Sequence, residues 1–141
     1  MSRLEMKMSP ATQLKKLTVL VIEDDPQICR LMKRCLAGSF DEVITAGDPN
    51  TALEILRQTH VTHLLSDLFL KPTKDSLASL TLLRFLFRNI ERCVIFTAAD
   101  VQSVEEAQKS MPFHSQETVD AVVSKMDGVD AVIKALLGER E

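Results

Sequence analysis

Apolar residues in this chain gather in short unbroken runs, separated by stretches where they recur every three or four positions. LTVLVI (residues 17–22) is continuous and rich in β-branched residues, as expected of a strand buried on both faces. Asp25-Pro26 then supplies an N-cap acid followed by proline at the first helical position. Ile28, Leu31, Met32, Cys35 and Leu36 form one helical stripe, and Gly38 marks its end. EVITA (42–46) predicts a second strand, and Asp48-Pro49 opens a helix with Ala52, Ile55 and Leu56 facing inward. THLLSDL (62–68) predicts the third strand, followed by a polar loop and a helix from about Leu77 to Ile90. CVIFTA (93–98) predicts the fourth strand. Asp100 caps a mostly polar helix, VQSVEEAQKS, with Pro112 beyond its end. DAVVS (120–124) predicts the fifth strand, and Val129, Val132, Ile133, Leu136 and Leu137 give the last helix a stripe like the first. Strands alternating with helices imply an α/β fold, a doubly wound parallel sheet covered on both faces.

Length and composition narrow this further. The chain has 141 residues, enough for one domain that buries its own core without disulfides or a metal staple. Its 17 basic and 20 acidic residues sum to −3, leaving no large cationic face and arguing against nucleic-acid binding. Cys29, Cys35 and Cys93 form no C-x-x-C pair and no zinc pattern, so buried, reduced thiols are expected. No apolar run approaches the roughly 18 residues that span a bilayer, and the start, MSRLEMKMSPATQLKK, lacks the apolar middle of a signal peptide. A cytoplasmic protein without membrane insertion is expected, with residues 1–15 a flexible or loosely helical extension and residues 16–141 the folded domain.

Ligands of open α/β sheets bind outside the carboxyl ends of the strands. Strand one ends in Glu23-Asp24-Asp25, strand three in Asp67, strand four in Thr97 and strand five in Lys125. With the first and third strands adjacent, Glu23, Asp24 and Asp67 share one crevice, flanked by Thr97 and Lys125. Two carboxylates about 4 Å apart repel by roughly 4 kcal/mol at an effective dielectric near 20, so such a trio calls for a cation. Lys125 supplies one charge; oxygen-only ligands at a wet mouth also suit Mg²⁺. The same acids exclude a nucleotide cofactor, whose phosphates need free N–H groups after strand one. Phosphate could enter only when neutralised by metal and Lys125, and the Asp67 carboxylate could then act as nucleophile. Thr97 and Lys125 are placed to meet the phosphoryl oxygens.

Taken in order, LTVLVIEDDP, HLLSDL, VIFTAAD and VVSK resemble the receiver domain of two-component response regulators, over about residues 16–138. The resemblance implies a flavodoxin-like fold with five parallel strands in the order 2-1-3-4-5 and five helices. It implies Asp67 as phosphoacceptor, with Asp24, Asp67 and the backbone carbonyl of Phe69 as direct Mg²⁺ ligands and Glu23 acting through water. Thr97 is similar to the family's switch hydroxyl and Lys125 to its phosphate-binding lysine. A histidine kinase or phosphotransfer protein would supply the phosphoryl group, and the protein would catalyse only its own phosphorylation and slow dephosphorylation. With one helix after Lys125, a stand-alone receiver is expected, acting on an unidentified downstream protein. The chain departs from the family pattern at Met126, where proline usually follows the lysine, and at Val122, usually aromatic. A trans bond before Met126 is expected. The segment after Asp67 is also longer than usual and lacks the family's common glycine.

Singly, these residues have ordinary explanations: acids after a strand are usually solvated, and Asp25 is read as a helix cap. His60, His63 and His114 are scattered and read as structural or exposed. The helix from Leu77 to Ile90 has two apolar surfaces, Leu82, Leu83, Leu86 and Ile90 on one and Leu77, Leu80 and Phe87 on the other. This excess implies cover by the N-terminal extension or the long loop, or else a homodimer or partner contact. The polar fourth helix has few apolar anchors and lies near Thr97, which makes it the expected switch element. Two rival functions remain: a receiver-like interaction domain independent of phosphorylation, and a phosphohydrolase. The second would need an acid two residues beyond its nucleophile, where Phe69 stands.

Overall fold

Parallel strands cannot be joined by tight turns, so each of the first four strands here is followed by a crossover that returns the chain to the same end of the sheet. The computed structural model describes residues 15–67, 74–98, 101–109 and 119–138. The strands are β1 (Thr18–Ile22), β2 (Glu42–Ala46), β3 (His63–Ser66), β4 (Arg92–Thr97) and β5 (Ala121–Ser124). They pair in parallel in the order β2-β1-β3-β4-β5, as the resemblance implied. The helices are α1 (Pro26–Leu36), α2 (Pro49–Gln58), α3 (Lys74–Leu86), α4 (Val101–Lys109) and α5 (Val129–Leu137). A single 3-10 turn, Lys125–Asp127, links β5 to α5. Residues 1–14, Phe69, Asp100, Pro112 and His114 lie outside the described residues.

The two-residue period of each strand divides the core into two layers. Leu20, Ile22, Leu64, Cys93 and Ile95 face α2, α3 and α4, meeting Ala52, Leu56, Leu80, Leu83 and Val104. Val19, Val21, Leu65, Val94, Phe96 and Val123 face α1 and α5, meeting Met32, Leu36, Val132 and Leu136. Asp25 and Asp48 cap their helices as expected, accepting from the Gln27 and Thr51 N–H groups at 2.8 Å each. Gly138 ends α5 in the left-handed region, at φ 74°.

Several expectations are corrected. Helix α3 starts at Lys74 and stops at Leu86, because Asn89 turns inward to donate 2.7 Å to the Val61 carbonyl and Ile90 returns to the core. Its buried stripe is Leu80 and Leu83, continued beyond the helix by the half-buried Phe87 and by Ile90; Leu82 and Leu86 point outward. Leu31 of α1 is also exposed. Cys29 and Cys35 are half-buried rather than buried. Cys93 is fully enclosed, and that burial pushes its thiol up to about 12. The polar helix α4 is anchored in the core by Val104.

At the amino end of the sheet, Asp120 joins three elements. Its Oδ2 accepts from Arg84 of α3 at 2.7 Å and from the Cys93 N–H of β4 at 2.8 Å. Arg84 also donates to the Glu91 carbonyl, and Arg92 Nε donates to the Ala135 carbonyl of α5. His63, at the same end, is buried against Phe40, edge to face at 5.0 Å, and Thr62 Oγ1 lies 2.8 Å from its Nδ1.

Two outcomes follow from this packing. Leu64→Ala should lower the unfolding free energy by about 2–5 kcal/mol in denaturant titration, whereas Leu82→Ala should leave it within about 0.5 kcal/mol. Burial lowers the His63 imidazole below its ordinary 6.5, so the unfolded chain takes up the proton first. Stability should therefore be full above pH 6.5 and fall as the pH drops from there towards the lower folded value. His63→Gln should flatten that slope in urea titrations across the acid range.

Candidate functional site

The carboxyl ends of β1, β3 and β5 bring their polar residues together. Backbone hydrogen bonds continue the ladder past the strands: the Glu23 N–H donates to the Ala46 carbonyl and the Asp67 N–H to the Ile22 carbonyl, both at 2.9 Å. These bonds fix the height of both acids at the mouth. Glu23, Asp67 and Lys125 each lie an even number of residues from a strand residue of the α1/α5 face (Val21, Leu65 and Val123). The pleat therefore aims Glu23 and Asp67 towards that side, where the Lys125 ammonium, from the first residue of the 3-10 turn after β5, meets them beside the Phe96 ring.

Glu23, Asp24 and Asp67 each offer a carboxylate oxygen, and these oxygens all lie within 4.8 Å of one another. Glu23 and Asp67 are buried at 2% and 5% accessibility, while Asp24 is exposed. Lys125 reaches across from the end of β5, its Nζ 3.1 Å from Glu23 Oε1 and 3.3 Å from Asp67 Oδ2. The ring of Phe96 lies 5.7 Å from the same ammonium. The second oxygen of Glu23, Oε2, accepts from the Asp25 N–H at 3.1 Å. Both Glu23 oxygens are thus occupied, whereas Asp24 faces solvent.

Burial raises the Glu23 carboxyl; the Asp67 charge adds to this, while the Asp25 N–H and Lys125 oppose it. Burial by itself would lower the Lys125 ammonium. Its hydrogen bond to Glu23 and the nearby Asp67 charge outweigh burial, leaving it above its ordinary 10.5. Its ion pairs therefore stabilise the fold fully below pH 10.5 and fail as the pH climbs through the higher folded value.

Thr97 is fully buried at the end of β4, opposite Ser124 of β5. Extending the β3–β4 register, in which Ser66 is opposite Ile95, places Asp67 level with Phe96. Thr97 then lies one residue further out, with the parity of Ile95 and the α2/α3/α4 face. It shares the rim with Asp67 but comes from the other side of the pleat. Asp25 is a helix cap, as expected. The peptide before Met126 is trans, and Ser124 Oγ accepts from the Met126 N–H at 3.1 Å. Phe69, whose carbonyl the resemblance implied as a ligand, lies outside the described residues. Two neighbours of the site were not anticipated. Phe96 beneath Lys125 was signalled only by its place beside Thr97, and Cys29, whose thiol donates to the Glu23 carbonyl at 3.2 Å, only by its position early in α1.

No protein-family model matches the chain, and no curated protein matches it. Solved structures do match in fold. A response regulator from Thermotoga maritima superposes with a TM-score of 0.72 at 17% identity, over 88% of this chain and 97% of that one. The Vibrio cholerae chemotaxis protein CheY4 gives 0.70 at 16% identity, over 89% of this chain and 100% of that one. A Burkholderia pseudomallei response regulator, solved with a phosphorylated aspartic acid, calcium ion and citrate, gives 0.67 at 19% identity, over 86% and 66%. The chain has the fold of response-regulator receiver domains. No helix among the described residues is long and apolar enough to cross a membrane.

The ion pairs of Lys125 make opposite predictions for two neighbours. Without divalent cations, Lys125→Met should lower stability by about 1–3 kcal/mol, because it leaves two buried carboxylates facing each other. Asp24→Asn should not lower it, because it removes an exposed charge from a crowded anionic site. Urea unfolding in chelator measures both.

Proposed function

We propose that the protein is a response-regulator receiver that takes a phosphoryl group onto Asp67 with Mg²⁺ bound beside it. The observation that carries this reading is the convergence of three carboxylates within 4.8 Å, with Lys125 Nζ 3.3 Å from Asp67. The donors are all hard oxygens at a mouth that Asp24 opens to solvent, a set suited to a hard divalent cation that keeps part of its water shell. Glu23, Asp24 and Asp67 would hold the ion, which would supply positive charge for incoming phosphoryl oxygens. The Burkholderia pseudomallei structure, with its phosphorylated aspartic acid and calcium ion, supports both elements by analogy of fold.

In this reading Asp67 is the nucleophile. A carboxylate oxygen forms the new O–P bond as the P–N bond of a phosphohistidine breaks, and the departing imidazole nitrogen keeps the electron pair and takes a proton from solvent. A histidine kinase or phosphotransfer protein is the donor. Lys125, already in contact with Asp67, pairs with a phosphoryl oxygen, and the Thr97 hydroxyl donates to another. The new dianion draws Lys125 away from Glu23, so phosphorylation is felt at the start of β1–α1 as well as at β5. Helix α4, which follows Thr97 and buries Val104 and Gln108, is the element proposed to shift for a downstream protein. Residues 16–141 form the receiver unit, catalysing only its own phosphorylation and slow dephosphorylation.

Acetyl phosphate with Mg²⁺ tests the proposal. Intact-mass spectrometry should show the gain of one phosphoryl group, lost in Asp67→Asn and in chelator, and much slower to form in Lys125→Met. A folded protein that gains no mass and takes up no Mg²⁺ at millimolar levels by calorimetry would overturn it in favour of an interaction domain that works without phosphate.

A further inference from the structure

Strand β2 is an edge of the sheet, and a cationic cleft adjoins it. The Glu42 N–H donates to the Leu17 carbonyl at 3.2 Å, and the Ala46 carbonyl accepts from the Glu23 N–H at 2.9 Å. The even-numbered residues of β2 therefore bond to β1. The two-residue period turns the N–H and C=O groups of Val43 and Thr45 away from it, towards the open edge. No hydrogen bond among the described residues reaches these groups.

The cleft, of about 470 Å³, lies between α1 and the amino half of β2, at the end of the sheet opposite Asp67. Arg30, Lys33 and Arg34 line its α1 side, and Phe40 and Val43 supply apolar surface. Among the described residues, none of the three cations has an ion-pair partner. The one acid of the lining, Asp41, is engaged elsewhere, its Oδ2 accepting from the Leu17 N–H at 2.7 Å. Lys33 and Arg34 complement the carboxyl end of the α1 dipole, but Arg30 stands a turn earlier. The cleft is thus positive on a chain whose total charge is −3.

An open edge accepts an extended segment whose backbone continues the ladder and whose side chains alternate between the two faces of the sheet. Val43 packs in the α1/α5 layer, so alternate residues of such a segment would stand beside Arg30, Lys33 and Arg34. Charge complementarity selects carboxylates there. A second copy is opposed by the same charges, because pairing β2 with β2 brings two cationic flanks to one seam. A nucleic acid would meet the cations but leave the peptide groups of Val43 and Thr45 unmatched.

We propose that the β2 edge and the α1 cleft together bind an extended acidic segment of a partner protein, added beside β2 with carboxylates on its α1 side.

Two measurements on the intact chain test this. By NMR, the Val43 and Thr45 amides should exchange with solvent faster than those of Ile44 and Ala46, and should become protected when a synthetic peptide of alternating Glu and Val is added. Anisotropy of the labelled peptide should show binding that weakens about tenfold when Arg30 and Arg34 are both changed to Ser, and that weakens in high salt. Unchanged exchange at Ile44 reports that the double variant is folded. A peptide of alternating Lys and Val should not bind. No binding of the Glu–Val peptide at millimolar concentration would overturn the proposal. So would binding that survives the double substitution, or that leaves the Val43 and Thr45 amides unprotected. Displacement by equimolar inorganic phosphate, or by a short oligothymidylate, would overturn it in favour of a small anion or a nucleic acid. Amides already protected in the free chain would overturn it too, in favour of a second copy where dilution removes the protection.

Discussion

Glu23 and Asp67 are buried side by side at the carboxyl end of the sheet, and the Lys125 ammonium stands 3.1 and 3.3 Å from them. Two carboxylates withdrawn from water at this separation would repel by several kcal/mol without a cation between them. The lysine comes from the far edge strand, so the electrostatic balance of β1 and β3 depends on β5, which pairs with neither. The lysine finds both partners only because the strand order brings the end of β5 to the same mouth as β1 and β3, and its charge in turn stabilises that arrangement. Fold and site thus share one constraint.

The hydrogen-bond ladder supports this arrangement. Because the Glu23 and Asp67 N–H groups still donate to neighbouring strands, the acids sit on backbone as firmly held as the sheet itself, although both lie outside the strands. Asp24, one residue on, leaves that ladder for solvent. Asp25 then turns the chain into α1, capping the helix with its side chain and holding Glu23 with its own N–H. Four consecutive residues, Glu23 to Pro26, thus pass from buried acid to exposed acid to cap to helix.

Much of this was legible before any coordinates. Strands buried on both faces must be apolar throughout, so β1 and β4 stood out as runs, and Asp-Pro before α1 and α2 marked both starts because its capping chemistry is local. Helix α3 was harder to read for an equally physical reason. Its sequence holds two interleaved apolar stripes, and periodicity says that a stripe exists without saying which one meets the sheet. Packing chose Leu80, Leu83 and Phe87, whose spacing runs on to Ile90, and left Leu82 and Leu86 outside. At the site, the strand-end positions of Glu23, Asp67 and Lys125 could be read from sequence. That Lys125 bridges both acids above Phe96 could not, because it depends on the registers of strands far apart in sequence.

Asp120 holds α3, β4 and β5 together at the opposite end of the sheet, and Arg92 extends the clamp to α5. One side chain there couples a helix to two strands: removing the Asp120 carboxylate would strip an acceptor from Arg84 and from the Cys93 N–H at one stroke, loosening α3 and β4 at the end of the sheet opposite the Lys125 ion pairs.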